Sequence, residues 1–286
     1  MTSSRARGEW GGRDLRVAIQ AQFTAAGITL ALRWAAAAAD EPGRKSLEIN
    51  ATARRWGFRY AQGEHPVVIY SHGSPAWRKL DSQRAEELAS HGYVVVTVDH
   101  PDCWATEFPD GRYLAGNHSG DVPGRLKDMK FLIDELAVLN SGDPILAGRI
   151  DLDRIGVSGG SYGGMVVETC RSDSRVKCAA VYDATNLRLN TAGLQKPFMV
   201  ALGESNYNYG DHQWLFSKAI TNAVFLQIRG ADHFTPADIG WMQQIPWGRG
   251  PALAYNACLV WFFDTFLKGE TPPFPINPEI YNVQRK

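Results

Sequence analysis

The sequence predicts a single α/β domain with a mostly parallel central sheet and helices on both faces. Three observations predict it. From residue 46 onward, short continuous apolar runs alternate with segments of helical spacing, the pattern of strands buried on both faces. A serine flanked by glycines, Ser161, directly follows one of these apolar runs. The chain has 286 residues, 44% of them hydrophobic, which suits one large core better than two small ones.

Taken in order, residues 46–49 and 54–60 are expected as a leading hairpin. Residues 66–71 form an apolar strand that ends at His72-Gly73. Residues 82–90 have helical spacing and stop at His91-Gly92. Residues 93–99 are a buried strand. Residues 125–140 are a helix with Leu126, Met129, Leu132, Leu136 and Leu139 on one side, a spacing of three and four residues. Residues 154–158 are a strand, followed by a glycine cluster and a helix to Arg171. Strands are expected at 178–182, 198–202 and 223–228, and helices at 211–220 and 252–267. Pro272, Pro273 and Pro275 mark an irregular tail, because proline cannot donate to a ladder.

Composition excludes some classes of function. Thirty basic and thirty acidic residues give no net charge, so there is no electrostatic footprint for nucleic acid and no polybasic run for an anionic membrane. The cysteines Cys103, Cys170, Cys178 and Cys258 make no C-x-x-C pair, which argues against zinc and redox motifs. Small buried thiols are the expected state, with a Cys170–Cys178 bridge as the alternative. Residues 1–45 read as an N-terminal extension or a signal segment. Arg5, Arg7, Arg13 and Arg16 precede an apolar run at 23–32, and small residues follow at 35–39, which is the order of a secretory signal. Gln20, Gln22 and Arg33 interrupt it. A secreted or periplasmic protein is favoured, with a cytoplasmic one as the alternative. No stretch reaches the roughly 18–20 apolar residues of a membrane span.

The chemistry centres on Gly159-Gly160-Ser161-Tyr162-Gly163, a G-x-S-x-G after an apolar strand and before an apolar helix. In a nucleophile elbow the serine occupies a strained strand-to-helix turn, and the flanking glycines admit close neighbours. The expected fold is therefore the α/β-hydrolase fold. Its catalytic order is serine, acid, histidine. Of seven histidines only His212 and His233 follow Ser161. His233 follows the strand at 223–228 and is the expected base; His212 is expected on the surface. The acid is Asp183, after the strand at 178–182, or Glu204, after the strand at 198–202, with Asp183 preferred. Asp232, adjacent to the base, is expected to point away. Two backbone N–H groups must meet the oxyanion, and those of Ser74 and Tyr162 are expected. His72 is then a loop-shaping residue. Trp77, Trp104 and Tyr162 either line an apolar acyl pocket or serve packing.

Several segments carry a resemblance: residues 66–73, 88–100, Arg125 with Asp128 leading into 131–136, residues 148–156, and Gly230-Ala-Asp-His233-Phe. Over about residues 66 to 240 the chain resembles the platelet-activating-factor acetylhydrolases of the plasma and bacterial type. That family keeps its acid in an Asp-Ala pair, which Asp183-Ala184 matches. The resemblance implies Ser161, Asp183 and His233 as triad and Ser74 and Tyr162 as oxyanion donors. It implies hydrolysis of short or oxidised acyl esters, chiefly the sn-2 acyl group of phospholipids, with no metal or cofactor. The implied partner is a small-molecule ester or lipid; the oligomeric state is left open. The family usually has histidine where Gly160 stands, and Gly160-Ser161-Tyr162-Gly163-Gly164 is also similar to prolyl-oligopeptidase-type peptidases. A peptidase or amidase, and a non-catalytic binding protein on the same scaffold, are the competing readings.

Overall fold

The computed structural model describes residues 63–286 apart from 103, 108–112, 118–119, 144–145, 186–193, 207–208, 221 and 238–248, with the backbone alone at 113, 114 and 249, together with the backbone of residues 15–24 and 27–36. The leading hairpin expected at 46–60 lies outside the described residues, as does Cys103.

Eleven strands and five α-helices are described. The elements run β1 (Leu15–Thr24), β2 (Gly27–Ala36), β3 (His65–Ser71), α1 (Ser82–Ser90), β4 (Val94–Asp99), β5 (Ala105–Glu107), β6 (Tyr113–Ala115) and α2 (Val122–Gly142). They continue with β7 (Ile150–Gly160), a 3-10 turn (Ser161–Met165), α3 (Val166–Ser172), β8 (Val176–Tyr182), β9 (Phe198–Gly203), α4 (Tyr209–Lys218), β10 (Ala223–Ile228), α5 (Arg249–Phe263) and β11 (Ile280–Arg285). Nine strands form one sheet in the order β1-β2-β4-β3-β7-β8-β9-β10-β11. It is parallel from β2 to β10, with β1 and β11 antiparallel at its edges. The short β5 and β6 pair separately.

The central strands are apolar throughout because both faces are covered. Val67 and Ile69 enter one core with Met129, Leu132 and Leu136 of α2 and Val166 and Cys170 of α3. Their neighbours Val68 and Tyr70 enter the other, with Ala85 and Leu88 of α1 and Tyr255, Leu259 and Phe262 of α5. Each such aliphatic side chain contributes about 1.5–3 kcal/mol by leaving water. Cys170, Cys178 and Cys258 are free and buried, as expected of small core thiols.

Two ends of the sheet differ from the sequence reading. The C-terminal tail, expected as irregular, closes with β11, which follows the prolines and pairs antiparallel with β10. Proline excludes the segment around 272–275 from a ladder but not the residues beyond it. At the other end, the backbone of residues 15–36 forms a hairpin whose second strand runs parallel to β4, with Ile28 opposite Val94 and Arg33 opposite Asp99. The sequence there alternates apart from Ala18: Leu15, Val17, Ile19, Ala21 and Phe23 against Arg16, Gln20, Gln22 and Thr24. Period two is a strand signal, and the glutamines that interrupt a signal segment are part of that alternation.

Candidate active site

The sheet delivers its chemistry at the carboxyl ends of β3, β7, β8, β9 and β10. Strand β7 ends at Gly160, and Ser161 opens the 3-10 turn with φ 51°, a left-handed conformation uncommon for a residue with a Cβ. Close packing holds it there. A Cβ on Gly163 would sit 2.1 Å from the carbonyl oxygen of Ser71, and one on Gly159 would sit 2.2 Å from that of Gly163. Strand β3 thus lies directly on the turn. The Ser161 carbonyl accepts from the N–H of Thr185 at 2.8 Å, which ties the turn to the loop after β8.

The loop after β10 brings His233 to the serine, with Nε2 2.9 Å from Ser161 Oγ. Asp232 shapes that loop. Its Oδ1 accepts from the N–H groups of Phe234 (3.0 Å) and Thr235 (2.8 Å) and from the Thr235 hydroxyl (2.8 Å). The carboxylate thus builds the turn. The buried guanidinium of Arg84, in α1, donates to the carbonyl of Pro236 and to Asp81 Oδ1 at 2.8 Å.

Asp183 follows β8 with φ 43° and is buried. Its Oδ1 accepts from the N–H of Gly203 at 2.9 Å and from the amide of Asn206; its Oδ2 accepts from the hydroxyl of Tyr255. The Asn206 amide nitrogen also lies 3.4 Å from Nδ1 of His233. Glu204 is exposed and its carboxylate accepts from the N–H of Gly230 at 2.9 Å, a loop-capping contact. His212 differs from expectation: it is fully buried, and its Nε2 accepts from the N–H of Ala184 at 3.0 Å. The left-handed turn at Asp183 frees that amide from the ladder, and a buried amide needs an acceptor.

The loop after β3 covers Ser161. A Cβ on Gly73 would lie 3.0 Å from Ser161 Cβ and 3.5 Å from its Oγ. Ser74, whose peptide bond to Pro75 is cis, comes next in that loop, and Tyr162 follows Ser161 in the chain. Beneath the loop, His72 Nδ1 donates to the Gly73 carbonyl at 2.6 Å, while its Nε2 accepts from the N–H of His100 at 3.3 Å. Arg125 Nη1 donates to the His72 carbonyl at 2.6 Å, its Nε pairs with Asp102 at 2.8 Å, and its guanidinium lies over the Tyr162 ring at 4.8 Å. Trp77 and Trp104 meet edge to face at 6.5 Å, and Trp104 and Phe234 are exposed.

Burial sets the electrostatics. It pushes the Asp183 carboxyl up to about 6, opposed by donors Tyr255, Gly203 and Asn206. It lowers His233, with Asp232 pulling the other way. Burial, helped by the charge of Arg125, lowers His72 to about 3, so His72 stays neutral and serves the loop. A neutral His233 can take a proton from the serine. Among the described residues no group of His, Cys, Asp and Glu suits a metal ion, and no helix is long and apolar enough to cross a membrane.

Sequence reasoning missed Asn206, Tyr255, His212 and Arg84. Each acts on a residue at least 28 positions away, except Asn206 on Asp183 at 23, and no short motif joins them.

A parallel sheet of this order, with a serine at a strained strand-to-helix turn and a histidine on its hydroxyl, defines the α/β-hydrolase fold. The comparisons narrow the class. Residues 46–110 match the family described as platelet-activating factor acetylhydrolase, isoform II. The platelet-activating factor acetylhydrolase of Canis lupus familiaris is 29% identical over 177 residues, covering 49% of this chain and 40% of that protein. The bis(hydroxyethyl) terephthalate hydrolase of Streptomyces coelicolor is 26% identical, covering 62% and 53%. The solved structure of a ferulic acid esterase from Streptomyces cinnamoneus superposes with a TM-score of 0.67 at 25% identity, covering 79% of this chain and 75% of that one. The match thus spans about two fifths of the first relative's length.

Proposed function

We propose that this chain is a serine carboxylic ester hydrolase that works through an acyl-enzyme on short-acyl esters. The observation that carries the reading is the 2.9 Å contact between His233 Nε2 and the Oγ of a left-handed Ser161. His233 accepts the Ser161 proton as Oγ attacks the ester carbonyl. The oxyanion meets the amides of Tyr162 and Ser74. Collapse expels the alcohol, which takes the proton from His233. Water, deprotonated by His233, then attacks the acyl-enzyme; the carbonyl carbon–Oγ bond breaks, the carboxylic acid leaves and His233 returns the proton to Ser161 Oγ. The buried carboxylate of Asp183 stabilises the imidazolium that forms in both halves.

Hydrolysis of p-nitrophenyl esters from acetate to decanoate tests the reading. Rates should fall with acyl length, and Ser161→Ala should lose roughly 10⁴- to 10⁶-fold in kcat. A folded wild type inert on every ester would overturn it. Matched anilides address the peptidase alternative. The sn-2 acetyl group of an ether phospholipid is the substrate that the acetylhydrolase relatives suggest.

A second reading, esters of aromatic acids, has support of its own. Trp77 lies three residues beyond Ser74 and packs on the exposed Trp104, and the exposed Phe234 adjoins the base. Two relatives bear the names of aromatic esters. Methyl ferulate and bis(hydroxyethyl) terephthalate, assayed beside p-nitrophenyl acetate, separate the two readings by kcat/KM.

A further inference from the structure

Resting on that reading, we propose that Asn206 is a positioning residue of the active site, the side chain that fixes the carboxylate of Asp183 and packs against the Nδ1 edge of His233. Asn206 sits in the loop after β9, is buried, and donates its own N–H to the carbonyl of Gly203 at 3.1 Å. That turn leaves the Gly203 N–H and the Asn206 amide side by side on Asp183 Oδ1. The amide's second neighbour is Nδ1 of His233, at 3.4 Å. A base whose Nε2 accepts from Ser161 carries its proton on Nδ1. The edge of the imidazole that bears this proton is therefore the edge beside Asn206, whose amide nitrogen is itself a donor and packs there without accepting that proton.

Two consequences follow from that placement. The amide holds the carboxylate of Asp183 from one side while Tyr255 holds it from the other, so the carboxylate cannot rotate. The side chain at 206 is also within one bond rotation of an atom that an acid would contact. A carboxylate at 206 would receive the Nδ1 proton of His233 in a hydrogen bond. With asparagine then placed at 183, the hydroxyl of Tyr255 keeps a partner, because it can donate or accept.

The test has three parts. Asn206→Leu, nearly isosteric, should lower kcat roughly a hundredfold with KM changed by less than about threefold, the signature of lost alignment and not of lost binding. Asp183→Asn should lose about 10⁴-fold in kcat, and the double variant D183N/N206D should recover at least tenfold over it, with melting temperatures confirming that each variant folds. Downfield proton NMR of the wild type should show a His233 Nδ1–H resonance that is absent in His233→Asn and shifted in Asn206→Leu. Wild-type kinetics and an unmoved resonance in Asn206→Leu, with no recovery in the double variant, would overturn the proposal. An inert wild type would sink the esterase reading instead, and the resonance would still decide the role of Asn206.

Discussion

The ring of Tyr182 occupies the space that a side chain on Gly160 would need: a Cβ there would lie 2.2 Å from Tyr182 Cε2. Gly160 ends β7 opposite Tyr182 at the end of β8, so the two residues are register partners in a buried sheet. This is the physical reason that the position before the nucleophile carries no side chain in this protein, where the acetylhydrolase resemblance would place histidine. Gly160→Ala should cost about 1–3 kcal/mol through overpacking and should lower kcat by moving Ser161. Combined with Tyr182→Ala, its cost should be smaller than on the wild-type background. Urea unfolding of the four proteins in the cycle measures both effects; equal cost on both backgrounds would refute the steric account.

Arg84 links the helix α1 to the loop of the base. It is buried, pairs with Asp81, donates to Pro236 and lies 4.1 Å over the Tyr182 ring. Arg84→Met should cost about 3–5 kcal/mol, because Asp81 loses its cation inside the protein. Activity measured well below the melting temperature should also fall, since the turn from Asp232 to Pro236 loses its anchor. A variant with wild-type stability in urea would show that the pair contributes nothing.

The acid limb of kcat/KM should lie below the ordinary histidine range, since burial lowers His233, while burial raises the neighbouring Asp183 carboxyl to about 6. Asp232 raises both groups, while Tyr255, Gly203 and Asn206 face Asp183 as donors. Asp232→Asn keeps an oxygen to accept from Phe234 and Thr235 and removes the charge. Its acid limb should therefore shift to lower pH. An unmoved or rising limb would contradict this assignment.

Stability should carry the same signature. The folded-state pKa of Asp183 is raised from 3.8 to about 6, so the native state binds its proton more tightly than the unfolded chain. Its contribution is complete below the unfolded value and is lost as pH rises through about 6. Relative to Asp183→Asn, the wild type should therefore lose about 3 kcal/mol between pH 3 and pH 8. Melting of both proteins across that range checks it; a constant gap would mean that Asp183 titrates normally.

The residues that make the fold legible are those whose neighbours are close in sequence. The apolar runs at 66–71, 198–202 and 223–228 became β3, β9 and β10 almost residue for residue. The helix α2 begins three residues earlier than its apolar spacing indicates, because Asp121 caps it by accepting from the N–H of Gly124 at 3.0 Å and Pro123 suits a first turn. The glycines around Ser161 and the order of Ser161, Asp183 and His233 were readable for the same reason: an elbow is a local motif, and chain order is a property of the sequence.

By itself, then, the sequence determined the parallel sheet, the glycine-flanked serine at the end of β7 and the histidine that meets it, since period, turn chemistry and motif are written within a few residues. Only the tertiary structure decided the surroundings that tune them. It buried His212 under Ala184, set Tyr182 against Gly160 and brought Asn206 between Asp183 and His233. Those contacts join segments separated by 22 to 28 residues or more, and their distances depend on how adjacent parallel strands align. Strand register is fixed by packing over the whole sheet, and no short stretch of sequence contains it.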